Sequence, residues 1–300
     1  DLAVLELSTK GAVVKKYFLK EFNNWYASRL DEDASYYQKN VQLIYDNKGG
    51  EFDIVFVTTD GRKVNTGSLF FNVDAPKHYY RLSDKDSLII SFTVNAGEEG
   101  FLKRTYVFYG NRYDSRIDLE FNKMHNVISQ NRYDIVWTNG IRFAEENSVD
   151  EANFSNSSAY MGGEKFIFEA GDRPRDLSGS IDWIAVRNKY FAAIISPENP
   201  ADVEGAYFDG FKEGIQNNGV REYYTAGLVV PFKNTNLESK SFSLYLGPIS
   251  YSLLKGYNKN YEAIVDFGGF FGLKVIIRPI SEYVLLPLFN FLNKYIPNYG

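Results

Sequence analysis

Residues 87–95, SLIISFTVN, alternate: Leu88, Ile90, Phe92 and Val94 fall on one side of an extended chain, and Ser87, Ser91, Thr93 and Asn95 largely on the other. Side chains of a strand point alternately to its two faces, so this run predicts a strand with one face in a core and one toward water. Gly97 to Gly100 then turn into residues 101–109 (FLKRTYVFY), and 110–114 turn into 115–121 (SRIDLEF). Three strands joined by short turns read as a meander, which sets an antiparallel β architecture for the chain around it.

Toward the N-terminus the same grammar holds. Ala3, Leu5 and Leu7 alternate with Val4 and Glu6, Thr9-Lys10-Gly11 supplies a turn, and residues 12–19 (AVVKKYFL) resume β-type sequence, which predicts an opening hairpin. Residues 23–39 lack a clear period and read as a loop, whereas 41–46 (VQLIYD) and 52–58 (FDIVFVT) read as strands on either side of the turn Asn47-Lys48-Gly49-Gly50. Toward the C-terminus, 147–158 and 171–180 are rich in Asn, Ser, Asp, Gly and Pro and read as loops around a strand at 164–169. Residues 181–187 (IDWIAVR) and 190–196 (YFAAIIS), separated by Asn188-Lys189, predict a tight hairpin of two well-buried strands. Residues 220–230 and 241–246 continue the β pattern; after Gly247-Pro248 the period changes, and Ile249, Leu253 and Leu254 fit a short helix before Gly256. The β body therefore spans 1–247 and a helical segment spans 248–300.

Composition agrees with a mainly β protein. With 24 Phe and 23 Tyr against two Met in 300 residues, the chain favours pleated, half-buried surfaces over helix bundles. A net charge of −5 without any long run of Lys or Arg argues against nucleic acid as a partner, because phosphate binding needs a basic face. The absence of cysteine excludes disulfides, thiolate metal sites and cysteine nucleophiles together. No phosphate-cradling glycine loop, nucleophile elbow or zinc-protease motif is present, and no cofactor is implied. His78 and His125, the two histidines, would need folding to bring them together before they could form a site with a cleft carboxylate in a carbohydrate-binding or sugar-epimerising, mutarotase-like sandwich, the rival reading to a non-catalytic one. The chain starts at Asp1 without a basic n-region or apolar h-region and stops directly after an apolar segment, as expected of a portion of something longer.

That last segment, 266–300 (DFGGFFGLKVIIRPISEYVLLPLFNFLNKYIPNYG), carries the strongest apolar signal. At helical spacing Phe270, Leu273, Ile277, Ile280, Val284, Leu288 and Phe291 step by three or four along one side, with Leu292 beside them, while Lys274, Arg278 and Glu282 step by four along another. The charges rule out an ordinary bilayer-spanning helix, which needs about 20 predominantly apolar residues. Pro279 and Pro287 divide the segment into short helical pieces. Burying such side chains fully is worth about 1.5–3 kcal/mol each, so the oily face packs on the protein body, dips into a membrane interface, or does both at different positions.

Several stretches in this order resemble the periplasmic domain of the YidC membrane-protein insertase family: 5–12 (LELSTKGA) followed by 13–19, the strand pair 101–109 and 113–121, 183–197 (WIAVRNKYFAAIISP), 244–248 (LYLGP), Asp266-Phe267-Gly268, Pro287-Leu288-Phe289 with Leu292, and Asn298-Tyr299-Gly300, where Tyr299 stands in place of the usual Trp. The resemblance implies a twisted antiparallel β-supersandwich, galactose-mutarotase-like, with a C-terminal helical segment running along the membrane. It also implies a non-enzymatic role on the periplasmic side of the bacterial inner membrane. The implied partners are the membrane core of the same polypeptide, the inner-membrane lipid surface, the Sec translocon with its accessory subunits, and nascent membrane proteins. Fold kinship with sugar-converting enzymes does not carry their chemistry across.

Overall fold

The structure is a computed structural model that describes residues 1–97 and 99–266 and, beyond these, Leu285, Pro287, Leu288 and Phe291. The chain divides into two compact units, Asp1–Ile249 and Ser250–Gly300.

The first unit is a set of antiparallel sheets between which the chain moves back and forth. The opening hairpin, β1 (Ala3–Ser8) and β2 (Val13–Asn23), takes β3 (Asn40–Gln42) as a third strand. β4 (Asp53–Val57) and β5 (Lys63–Asn65) begin a second sheet, after which β6 (Asn72–Asp74), β7 (Ser87–Ala96), β8 (Gly100–Tyr109) and β9 (Asp114–Asn122) form the meander in a third. β10 (Arg132–Trp137) returns beside β4, and β11 (Asn156–Met161) with β12 (Glu164–Phe168) goes back to the meander's sheet. β13 (Arg175–Ser178) crosses over again, followed by β14 (Trp183–Arg187) and β15 (Phe191–Pro197) on the other side. The long hairpin β16 (Gly205–Ile215) and β17 (Gly219–Pro231) completes the second sheet, and β18 (Leu237–Pro248) the third. The result is a six-stranded sheet in the order β13-β16-β17-β10-β4-β5 and a nine-stranded sheet in the order β12-β11-β14-β15-β18-β9-β8-β7-β6.

The two large sheets share one aromatic core. Phe121 of β9 meets Tyr133 of β10 at 4.6 Å, Phe168 of β12 stacks on Phe208 of β16 at 4.2 Å, and Phe52, just before β4, meets Phe242 of β18 edge to face at 6.0 Å. Such ring pairs add to the area term that drives burial. The alternation expected at 87–95 is present: Ile90 and Phe92 are buried, while Ile89 on the opposite face is largely exposed. Every residue of β14 and β15 is buried, as their continuous apolar sequence predicts. Asn188 closes the turn between them: its Oδ1 accepts from the Tyr190 and Phe191 N–H groups (3.0 and 2.8 Å) and its Nδ2 donates to the Arg142 carbonyl (3.0 Å).

Four local expectations change. The loop at 23–39 contains a 3-10 turn (Ala27–Arg29) and α1 (Tyr36–Lys39), the latter entered through a Ser35–Gln38 capping box too short to show a period. Residues 43–46 are not a strand, because the Gln42 side chain accepts the Ile44 N–H (2.5 Å) and competes with the ladder. The polar stretch 147–158 holds α2 (Ser148–Ala152), capped by Asn147, and the start of β11, where the small Ser157 and Ser158 are fully buried. Within 171–180, β13 forms an edge strand. In the second unit, α3 (Tyr251–Lys255) follows Pro248 as expected and ends at Gly256, and a 3-10 turn covers Tyr261–Ile264.

Candidate functional site

The point at which the chain leaves the sandwich is tightly held. β18 ends with Pro248 opposite Phe191 of β15, and the next residue, Ile249, donates its N–H to the Tyr190 carbonyl at 2.7 Å. The Tyr245 hydroxyl donates to the Pro248 carbonyl (2.6 Å). Gly247 is required here by space: a Cβ on it would lie 2.8 Å from the Tyr113 ring and 2.9 Å from the Tyr245 hydroxyl. The Gly-Pro pair thus fixes where the sheet stops.

Of the ten residues assigned to the amphipathic face, Phe270, Leu273, Lys274, Ile277, Arg278, Ile280, Val284 and Leu292 lie outside the described residues. Leu288 and Phe291 are described in helical backbone, 49% and 56% exposed, and Leu285, one turn before Leu288, is 40% exposed. Positions 285, 288 and 291 repeat at a spacing of three, which aligns them along one side of a helical piece. Among the described residues, no helix is long and apolar enough to cross a membrane.

A buried polar cluster joins the opening hairpin to the two large sheets. Alternation along β8 turns Leu102, Arg104, Tyr106 and Phe108 inward. Arg104, fully buried, donates from Nη1 to the carbonyls of Gly11 (3.0 Å) and Ala12 (2.9 Å), and the Tyr106 hydroxyl donates to the same Ala12 carbonyl (2.9 Å). Both hairpin-turn residues have positive φ, 78° at Gly11 and 53° at Ala12, which aims these carbonyls at β8. The Arg104 guanidinium lies 5.4 Å from the centre of the Phe52 ring. Glu51 and Asp53 flank Phe52 and are nearly fully buried. Burial pushes the Glu51 carboxyl up to about 8, with the Asp53 and Asp46 charges adding to the rise. Burial also raises Asp53, opposed by a hydrogen bond from Asn65 and the charge of Arg104. The two carboxylates stand two residues apart in the chain, and burial closes both off from solvent. The clamp of this cluster is made by Arg104 and Tyr106, whose hydrogen bonds tie the hairpin turn to β8.

The two histidines are not brought together. β6 runs from Asn72 opposite Thr93 to Asp74 opposite Ser91 and releases the chain toward the end where Ser87 pairs with Tyr109. The loop with the exposed His78 is anchored at that end, where Gly110 donates to Asp86 and the N-terminal ammonium donates to the Gly110 and Leu82 carbonyls. His125 sits in a 3-10 turn (Met124–Asn126) after Asn122, whose partner Phe101 lies opposite Asn95 at the other end of the sheet. At His125's end, a cavity of about 180 Å³ is lined by Phe56, Val64, Val94, Leu102, Met124 and Val127, with Thr58 and Asn95 as polar side chains on its wall. A sugar site needs several convergent polar groups; apart from those two side chains this lining is apolar. Among the described residues, no group of three or more histidines and carboxylates is placed to hold a metal ion.

Comparison with known proteins agrees with the sequence resemblance. The family model described as the YidC periplasmic domain matches residues 1–282. The chain is 33% identical over 307 aligned positions to the membrane protein insertase YidC of Chloroherpeton thalassium and 33% identical over 307 to that of Chlorobaculum parvum, in each case covering 100% of this chain and 49% of the relative. The chain thus spans about half the length of these relatives. Among solved structures, a galactose mutarotase related enzyme from Lactobacillus acidophilus aligns with a TM-score of 0.47 at 6% identity over 82% of this chain and 94% of that one. The α-N-acetylgalactosaminidase NagBb of Bifidobacterium bifidum aligns with a TM-score of 0.48 at 10% identity over 86% of this chain and 37% of that one. With the family model matching from the opening hairpin into the C-terminal segment, the chain belongs to the family of YidC periplasmic domains.

Proposed function

We propose that this chain is the periplasmic part of a membrane-protein insertase, helping inner-membrane proteins enter and fold in the bilayer, alone or beside the Sec translocon and its accessory subunits. Its role is positional and non-catalytic. The sandwich, 1–247, offers surface to partners, and 248–300 leads toward a membrane core in the same polypeptide. The stretch 270–292 lies in the outer-leaflet interface on the periplasmic side of the inner membrane, with its apolar side in the acyl boundary and Lys274 and Arg278 toward lipid phosphates.

The observation that carries this reading is the exposure of Leu285, Leu288 and Phe291 at the same helical spacing. Large apolar side chains repeated along one side of a helix gain free energy only when another phase covers them. In the full-length insertase, Leu288→Glu with Phe291→Glu is expected to impair substrate insertion and to weaken vesicle binding by this domain. Normal insertion by the double variant would defeat the interfacial role.

A further inference from the structure

The face of the sandwich around the chain exit carries a connected set of aromatic and charged side chains. Phe22 of β2 meets Phe191 of β15 edge to face at 5.2 Å. Just beyond it, Trp25 is 42% exposed, with Tyr26 against it at 5.2 Å and the Arg29 guanidinium 4.9 Å from its ring centre. Arg29 reaches Glu146 at 3.7 Å. The neighbouring Glu145 accepts the Tyr190 hydroxyl, and Lys189 pairs with Asp150 (2.6 Å) and Glu145 (3.7 Å) while lying 5.1 Å from the Tyr190 ring and 5.6 Å from that of Phe154. Tyr190 is the residue whose carbonyl receives the Ile249 N–H, so the set is connected to the exit.

Two properties of this face select what covers it. First, Trp25, Phe154 and Tyr190 are each more than a third exposed, and the rings of Trp25 and Tyr190, with an apolar body and a polar tip, favour the headgroup level of a bilayer, while Phe154 adds apolar area beside them. Second, the charge is acidic: Arg29 and Lys189 are already opposed by Glu145, Glu146 and Asp150, while Asp31, Glu32 and Asp33, directly after Arg29, are all exposed and outnumber Lys39, whose ammonium donates to the Glu32 carbonyl. Carboxylates repel an anionic lipid layer and attract a headgroup ammonium. We infer that this face rests on an aminophospholipid surface, with the rings of Trp25 and Tyr190 at the headgroup level, Phe154 beside them, and the carboxylates of Asp31, Glu32 and Asp33 toward lipid ammonium groups. The inference rests on the proposed interfacial placement of the C-terminal segment, because the chain that leaves at Ile249 continues into it.

Trp25 makes this testable, since Trp137 and Trp183 are only 2% and 0% exposed. The 300-residue chain is mixed with phosphatidylcholine vesicles containing either phosphatidylethanolamine or phosphatidylglycerol, each with a lipid brominated high in its acyl chain. Vesicle binding is read by flotation. In the phosphatidylethanolamine vesicles a loss of tryptophan emission is expected, absent in Trp25→Phe, and an Asp31→Asn, Glu32→Gln, Asp33→Asn variant is expected to lose the preference for that lipid. Flotation without quenching of Trp25 overturns the inference and leaves the C-terminal placement standing, whereas failure to float on any vesicle overturns both. Equal quenching on phosphatidylglycerol overturns the aminolipid assignment. Trp25 unquenched by lipid but shielded from acrylamide at high protein concentration assigns the face to a second copy instead.

Discussion

Glu51 and Arg104 are charged residues placed where water barely reaches, and their costs are met differently. Arg104 is satisfied in part by two backbone carbonyls of the opening hairpin; Glu51 instead gives up its charge, with a carboxyl raised from 4.5 to about 8 chiefly by burial. A carboxyl whose pKa is raised on folding stabilises the native state fully below its unfolded value, and that contribution is lost as pH rises through the folded one. Shifts of this size correspond to at most about 4–5 kcal/mol between pH 4 and pH 9. Glu51→Gln should therefore match the parent near pH 4 and exceed it at pH 9, as read by denaturant melts at the two values. Glu151, raised to about 7 by burial, contributes in the same direction, so the pH dependence of the variant shrinks without vanishing. The inward position of Arg104 was open to reading in the sequence, because alternation through FLKRTYVFY sets it with Leu102, Tyr106 and Phe108. Its partners were not, because Gly11 and Ala12 stand more than 90 residues away.

Elements with clean alternation or continuous apolar runs, such as β7, β8, β14, β15 and β18, were legible because one sheet face, or both, lies in the core. β13 and α2 were hidden in polar sequence because an edge strand and a five-residue helix bury too little to impose a pattern. Of the exit, the Gly-Pro junction and the change of period could be read, whereas the aromatic and charged set linked to it could not, since β2, the 145–154 stretch and the β14–β15 turn meet only in space. At the end of β18, Gly247→Ala places a methyl group against the Tyr113 ring and is expected to cost about 1–3 kcal/mol, read as a lowered melting midpoint.

For the molecule as a whole, the consequential fact is that neither large sheet is made from one continuous piece of chain. Strands alternate between the sheets from β4 to β18, and the sheets share one aromatic core. The two are therefore expected to unfold together. Trp137 lies in the six-stranded sheet and Trp183 in the nine-stranded one, so Trp25→Phe/Trp183→Phe and Trp25→Phe/Trp137→Phe variants each report one sheet by fluorescence. Coincident transitions in denaturant are expected; separated ones would show that the sheets are independent. Pairings such as β18 with β9, across more than 100 residues, also place refolding in the slow regime of non-local topologies.

The hold on the exit strand has a mechanical meaning. β18 is flanked over its length by neighbours, β9 from Leu237 to Tyr245 and β15 from Phe242 to Pro248. A pull on Ile249 directed along this strand acts at right angles to its ladder bonds and loads them in shear as a group instead of opening them one at a time. An edge strand tugged sideways would unzip; an interior strand drawn lengthwise transmits tension into the whole sheet. The sandwich is thus built to bear force at the point where its chain departs.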